Sequence, residues 1–341
     1  MKAVKYLRLI ILNLLILILI LISIDLILGT WFKNNFSYRL SSERNIHRVY
    51  KFDFKNYKGE SVYIRDTNGF RVKSDPIKPS SIDIVFTGGS TTNQKFLNYE
   101  DTIVSVIDNH YNNINFVNAG VDGLSIVGHI NSLEFWFNKI KNFEPKYYIV
   151  YLGINDQKLL DNQLKYIDQL KESDFKSNLR EYIEANSFFY KKFRYLKSLL
   201  YLKYNFDKGV NYVNKKGVVY TERNNNKFYN YEYFEKKNIQ NKKYKIKYLD
   251  LLEMLTNKIK ESGSDVIYIT QISGHGMNDE LYLSAKTIMS HCESLKLKCI
   301  NLAKNAALGY EDFYDSLHLN PRGAKKASIF LINKLNKIIN K

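Results

Sequence analysis

Short apolar runs alternating with helix-patterned stretches predict an α/β fold with a parallel sheet. One N-terminal transmembrane helix precedes it, and a mostly helical insertion interrupts it. The runs are Ile82–Phe86, Asn115–Asn118, Tyr147–Leu152, Val266–Gln271 and Lys298–Leu302. Between and after them, helical patterns cover Asp101–Tyr111, the stretch through Leu133, Trp136, Phe137 and Ile140, then Ile246–Ser262 closed by Gly263, Asp279–Ser294 and Arg322–Ile339. Strands that are apolar throughout imply burial on both faces, as in a parallel sheet with helices on either side. Ligands in such sheets bind beyond the carboxyl ends of the strands.

The run from Leu9 to Leu28 is 20 residues long and is broken only by Asn13, Ser23 and Asp25. That length matches the hydrocarbon thickness of a bilayer, and a soluble helix is rarely apolar on every face. No small-residue cleavage site follows at Gly29–Phe32, so an uncleaved signal anchor is expected over residues 9–30. Lys2, Lys5 and Arg8 on the short side favour a cytoplasmic N-terminus (residues 1–8) with the rest of the chain outside. Lys33 and Arg39 weaken that bias without reversing it. Trp31 and Phe32 suit the outer interface, and Asp25 is expected to stay hydrated there without a function.

Residues 31–80 read as a stem containing a hairpin, Val62–Arg65 and Phe70–Val72 around an Asn-Gly turn, with Pro76 and Pro79 marking its end. The domain proper is expected over 81–341, with the insertion at 158–245. The chain of 341 residues carries a net charge of +17. Asn186–Lys245 alone holds 15 Lys+Arg against 4 Asp+Glu, interleaved with ten tyrosines. Such an excess points to an anionic partner. No zinc-finger spacing or RNA-binding aromatic signature favours nucleic acid, so a membrane or envelope surface is the expected partner. The insertion reads as a solvated helical cap or a substrate-binding lid. Cys292 and Cys299 are too few for a metal site of the usual four-ligand kind. They read equally as a disulfide or as two thiols. No cofactor or metal is expected.

The polar segments at the strand ends carry the chemistry. Ser90 follows Gly88-Gly89, which lets the backbone turn sharply and expose a hydroxyl. A serine needs a base to become a nucleophile, and Asp315-Ser316-Leu317-His318 offers an imidazole and an orienting carboxylate one turn apart. The backbone N–H groups of Ser90 and Gly123 and the side-chain amide of Asn155 are candidate oxyanion donors. The order Ser…Asp…His resembles α/β-hydrolases, but Thr92 stands where the nucleophile elbow Gly-x-Ser-x-Gly needs its last glycine. Asp156 is expected to brace its loop, and Asp122 is a weaker triad candidate than Asp315. His129 and His275 are expected to be packing or surface residues.

Together these segments resemble the blocks of the SGNH (GDSL-type) hydrolases. Thr87–Thr92 looks like the first block, Asn118–Gly123 the glycine block, Gly153–Asp156 the Gly-x-Asn-Asp block, and Asp315–His318 the closing Asp-x-x-His block. Leu319–Gly323 fits the family's tail, and Asp66–Arg71 resembles a segment preceding the domain in membrane-anchored members. Gly89 stands where the best-known members have an acidic residue. The resemblance covers about residues 62–157 and 246–335 and leaves the insertion unmatched. It implies a flavodoxin-like three-layer fold and metal-free hydrolysis or transfer of ester-linked acyl groups. The catalytic residues would be Ser90, Asp315 and His318, with Ser90, Gly123 and Asn155 at the oxyanion.

The leading function is therefore a serine esterase removing acyl groups, such as O-acetyl, from a cell-envelope glycan or lipid. An O-acyltransferase would use the same site with a sugar hydroxyl in place of water. A non-catalytic envelope assembly protein is the third reading, though a scaffold has no need of all four of Ser90, Asn155, Asp315 and His318. Protein partners are not readable from the sequence.

Overall fold

The parallel strands place alternate side chains on opposite faces, and each face finds its own helices. In the computed structural model, which describes residues 2–32, 44, 46–54, 57–157, 159, 175–204, 212–213, 228–237 and 239–339, nine strands form one sheet. They are β1 (Ile46–Phe54), β2 (Tyr57–Arg65), β3 (Arg71–Val72), β4 (Ile84–Gly88), β5 (Phe116–Asn118), β6 (Tyr147–Leu152), β7 (Tyr212–Val213), β8 (Asp265–Thr270) and β9 (Lys298–Ile300). The helices are α1 (Lys2–Leu28), α2 (Ser90–Asn93), α3 (Ile103–Asp108), α4 (Ile126–Phe135), α5 (Phe175–Asn186), α6 (Phe188–Tyr204), α7 (Tyr231–Lys237), α8 (Lys242–Glu261), α9 (Asp279–Leu295), α10 (Leu302–Asn305) and α11 (Pro321–Ile339).

Strands β5-β4-β6-β8-β9 are parallel and lie in that order. This is the flavodoxin-like 2-1-3-4-5 arrangement, whose switch point falls between β4 and β6. Ile84, Phe86, Ile149, Tyr151, Ile267 and Ile269 join one core cluster with residues of α3, α10 and α11. Val85, Val150, Leu152, Val266 and Tyr268 join another with residues of α4, α8 and α9. The three-layer α/β fold expected from the sequence is the fold observed.

The sheet is mixed rather than purely parallel. β1, β2 and β3 extend its β5 edge in antiparallel fashion, Arg71 of β3 pairing with Asn118 of β5. The stretch expected as a stem is thus hydrogen-bonded into the main sheet over its described strands. The expected turn does form a hairpin, Arg65 opposite Arg71, but β2 also pairs along its whole length with β1, a second hairpin not anticipated. Strand β7, from the insertion, adds a parallel edge on β1.

Two helices differ in their bounds from expectation for visible reasons. The helix expected over Asp101–Tyr111 begins at Ile103, because Thr102 caps it by accepting from Ser105 N, and it ends at Asp108. The Asp108 carboxylate accepts from Phe116 N on the next strand. The helix expected from Ile246 starts at Lys242, because Asn241 accepts from Tyr244 N and because Tyr244 and Tyr248 already face the core. Cys292 and Cys299 form a disulfide that ties α9 to β9, with Cα atoms 6.2 Å apart.

Helix α1 contains a 23-residue segment, Tyr6–Leu28, long and apolar enough to cross a membrane, and its side chains are not buried against the domain. Lys33, Arg39 and the insertion residues 160–174, 205–211 and 214–227 lie outside the described residues.

Candidate active site

Ser90 is the first residue of α2, directly beyond β4, and its hydroxyl is half-buried. The Ser90 Oγ lies 2.7 Å from His318 Nε2. On the other side of the ring, His318 Nδ1 is 2.8 Å from Asp315 Oδ2 and 2.9 Å from Asp315 Oδ1. A carboxylate can only accept, so Nδ1 carries the proton and Nε2 is left to accept from the Ser90 hydroxyl.

Local backbone bonding makes the three-residue spacing work. Asp315 Oδ1 accepts from the N–H groups of Leu317 and His318, folding the loop back on itself, and Phe313 bridges Leu319 to close it. The imidazole stacks on Tyr314 at 5.5 Å. Burial alone would push the Asp315 carboxyl up. The His318 hydrogen bond and charge, with the two backbone donors, outweigh it, so Asp315 titrates below the ordinary carboxylate value.

Gly123 lies in the turn beyond β5 with φ of +83°, a conformation that a side chain disfavours. The N–H groups of Ser90 and Gly123 have no protein acceptor among the described residues. Asn155 follows β6. Its Nδ2 donates one hydrogen to Leu124 O at 2.9 Å, leaving the second uncommitted among the described residues. The Asn155 amide packs so closely on Gly89 that a Cβ there would collide with Nδ2.

Asp156 braces its loop as expected, accepting from Ile126 N, Gly153 N and the Tyr248 hydroxyl. Asp122 is not part of the Ser90–His318–Asp315 chain. It accepts from Lys95 Nζ at 2.6 Å and Asn93 Nδ2 at 2.8 Å.

Three positioning residues were not picked out from the sequence. Arg71 is fully buried and donates to the carbonyls of Asn93, Gln94 and Leu97, where α2 ends. Arg65 donates to Gly69 O and, at 2.6 Å, to Gly120 O. Both arise from the antiparallel extension and hold the loops bearing Ser90 and Gly123. Gln271, beyond β8, accepts from Ile154 N and donates to Thr91 Oγ1, joining the Asn155 loop to the Ser90 helix. A polar residue closing an apolar strand was the available signal for Gln271. Two arginines flanking an Asp-Thr-Asn-Gly turn were the signal for the others.

The GDSL-like lipase/acylhydrolase family profile matches residues 79–329. The chain belongs to that family. As a GDSL-type protein it is a hydrolase acting on ester bonds. Solved structures that the chain is similar to include a lipolytic GDSL-family protein from Veillonella parvula, 14% identical with a TM-score of 0.43 over 74% of this chain and 97% of that one. A catalytic mutant of an acetylxylan esterase from Geobacillus stearothermophilus is 12% identical, TM-score 0.41, over 76% and 95%. A psychrotrophic esterase from Pseudoalteromonas is 12% identical, TM-score 0.41, over 76% and 99%. No curated protein matches the chain.

A pH effect on stability arises from His129, fully buried on α4. Its Nδ1 shares a hydrogen bond with the Thr87 hydroxyl, and its Nε2 has no partner among the described residues. Burial lowers its pKa from 6.5 to about 3. Between those values the unfolded chain holds a proton that the folded chain does not. Stability is therefore fully present above the unfolded value and is lost as pH falls through the window, by up to about 1.4 kcal/mol per pH unit. The unfolding midpoint should decline below pH 6.5, and His129→Gln should flatten that decline. An unchanged slope in the variant would remove His129 as the cause.

Proposed function

We propose that this GDSL-type hydrolase is a serine esterase in which Ser90 is the nucleophile, His318 the general base and Asp315 the residue that orients it. The observation that carries the proposal is the continuous hydrogen-bond chain from Asp315 through His318 to Ser90 Oγ. As the Ser90 oxygen bonds to the ester carbonyl carbon, its proton passes to His318 Nε2, and the carbonyl oxygen becomes an oxyanion. The imidazolium is stabilised by Asp315 and returns the proton to the departing alcohol oxygen, leaving an acyl-serine. Water then repeats the steps with the same base and releases the acid. The N–H groups of Ser90 and Gly123 and the Asn155 amide receive the oxyanion.

The substrate we propose is an acyl ester, O-acetyl included, on a cell-envelope glycan or lipid. Helix α1 as a single-pass anchor and the net charge of +17 favour an anionic surface. A catalytic domain outside the cytoplasm agrees with the disulfide, since such bonds persist in oxidising compartments. An impermeant thiol reagent should reach an introduced surface cysteine in intact cells or spheroplasts. Protection until the inner membrane is opened reverses the orientation.

A fluorophosphonate probe should label the native chain at Ser90, and acyl release from isolated envelope polymer should require that residue. A folded chain that neither takes the probe nor releases acyl groups is not a serine esterase. Release that appears only when a second sugar hydroxyl is supplied assigns acyl transfer instead. Asn155→Ala should lower kcat by about two to three orders of magnitude with little change in KM. A loss confined to KM would contradict its place at the oxyanion.

A further inference from the structure

The insertion is docked onto the outer end of α1. Asp25, within the last turn of that helix, accepts from Ser187 Oγ at 3.0 Å and from Phe189 N at 2.9 Å, so it caps the start of α6. Its second oxygen accepts from Trp31 Nε1. Thr30 N donates to Asn186 O, and the Tyr182 hydroxyl donates to Trp31 O. The sequence offered Asp25 no role because its partners in the insertion lie more than 160 residues away. The joint between α5 and α6 is therefore held where α1 would leave the hydrocarbon.

Helix α6 has two distinct sides. Tyr195 stacks on His47 of β1 at 4.1 Å, Arg194 donates to the Tyr190 hydroxyl, and that hydroxyl donates to Glu184. These residues face the domain. On the opposite side Phe189, Phe193, Leu196 and Leu200 recur at i, i+4, i+7 and i+11 and are exposed, Phe193 by 65%. At 3.6 residues per turn they fall within roughly 60° of arc, and Lys192 and Lys197 sit about 40° beyond its two edges. An apolar stripe flanked by lysines is the pattern of a helix lying in a membrane interface, where lysine stems extend along the acyl boundary and ammonium groups reach headgroup phosphates.

We infer that α6 lies on the bilayer surface beside α1, with the Phe189–Leu200 stripe in the acyl boundary and Lys192 and Lys197 on anionic lipid headgroups. The occupant of the stripe is lipid because the stripe begins at the residues that cap onto the membrane-length helix and because the flanking charge is positive. This inference rests on the reading of α1 as a membrane anchor. Its consequence is a second attachment that fixes the tilt of the catalytic domain, confining Ser90 to substrates near the surface.

No free cysteine occurs, so a single introduced cysteine can carry an environment-sensitive fluorophore. The full chain, labelled in turn at Phe193→Cys, Leu196→Cys and Lys141→Cys, is reconstituted into vesicles containing phosphatidylglycerol or phosphatidylcholine alone. Co-flotation with the vesicles reports α1 independently. Labels at 193 and 196 should shift to the blue and be quenched by shallow spin-labelled lipids, while the label at the exposed Lys141 stays aqueous. Lys192→Gln with Lys197→Gln should lower the docked-to-free ratio about tenfold or more in anionic vesicles and leave it unchanged in neutral ones. A chain that floats but keeps 193 and 196 aqueous overturns the inference with the anchor intact. A chain that does not float overturns the anchor and the inference together. A blue shift without lipid quenching, rising with protein density, assigns the stripe to a second copy and also overturns it.

Discussion

Ser90→Ala should abolish ester hydrolysis, with kcat falling by about six orders of magnitude and the fold unchanged. The magnitude follows from the arrangement. Removing Oγ removes the atom that would form the acyl-enzyme, and His318 then has nothing to deprotonate except water. Residual turnover would come only from binding and from the oxyanion donors, which survive the substitution. The residue is half-buried at the start of a short helix, and its side chain makes one hydrogen bond, to His318. Losing a single partly exposed hydroxyl bond costs about 1 kcal/mol, so the unfolding midpoint should move by only a few degrees. Steady-state kinetics on a small soluble ester, alongside thermal unfolding, separates the two effects. Wild-type turnover by the variant would move the nucleophile elsewhere. A large drop in midpoint would instead make Ser90 a structural residue.

What was legible in the sequence follows from how local each signal is. The parallel strands were visible because burial on both faces leaves each as an unbroken apolar run, such as Tyr147–Leu152. Ser90, Gly123, Asn155 and the Asp315/His318 pair could be named as candidates because each stands beside a strand end or within one turn. The structure brings Ser90 to His318 across 228 positions of chain. Strand β1 was not legible. Its burial alternates only loosely, and its partner β2 sets exposed Lys58, Glu60 and Val62 beside buried Ser61, Tyr63 and Arg65. Nothing local says that Arg71 will pair with Asn118 on a parallel strand. Asp25 was unreadable for the same reason, being a polar residue whose meaning depends on a distant helix.

That non-local pairing leads to the second large effect. Arg71→Met should destabilise the protein by about 3–5 kcal/mol and reduce activity well below the melting transition. Arg71 is fully buried, and its guanidinium donates to three carbonyls, those of Asn93, Gln94 and Leu97. Burial lowers its pKa only to about 10, so it remains cationic at neutral pH. The charge is balanced by converging carbonyl dipoles where α2 ends, with help from Tyr63, whose ring lies 5.3 Å away. Methionine keeps the aliphatic volume but removes the donors to all three carbonyls. Gln94 O keeps only Leu97 N, and those of Asn93 and Leu97 are left without a donor among the described residues, in a site that is fully buried. Each such loss costs about 1–3 kcal/mol, and they do not add fully. For a domain of this size the midpoint should fall by roughly 10 °C. The chain after Ser90 would also lose its clamp, and a misplacement of about 1 Å at the proposed nucleophile costs on the order of a hundredfold in rate. Arg71→Lys should recover only part of both, because a single ammonium cannot reproduce the planar fork. The comparison with Ser90→Ala is the decisive one. Ser90→Ala removes activity without stability, whereas Arg71→Met should remove both, the activity loss appearing in kcat even at temperatures where the variant is folded. An Arg71→Met protein with an unchanged midpoint and unchanged kcat would show that the antiparallel extension does not hold the loop that bears Ser90.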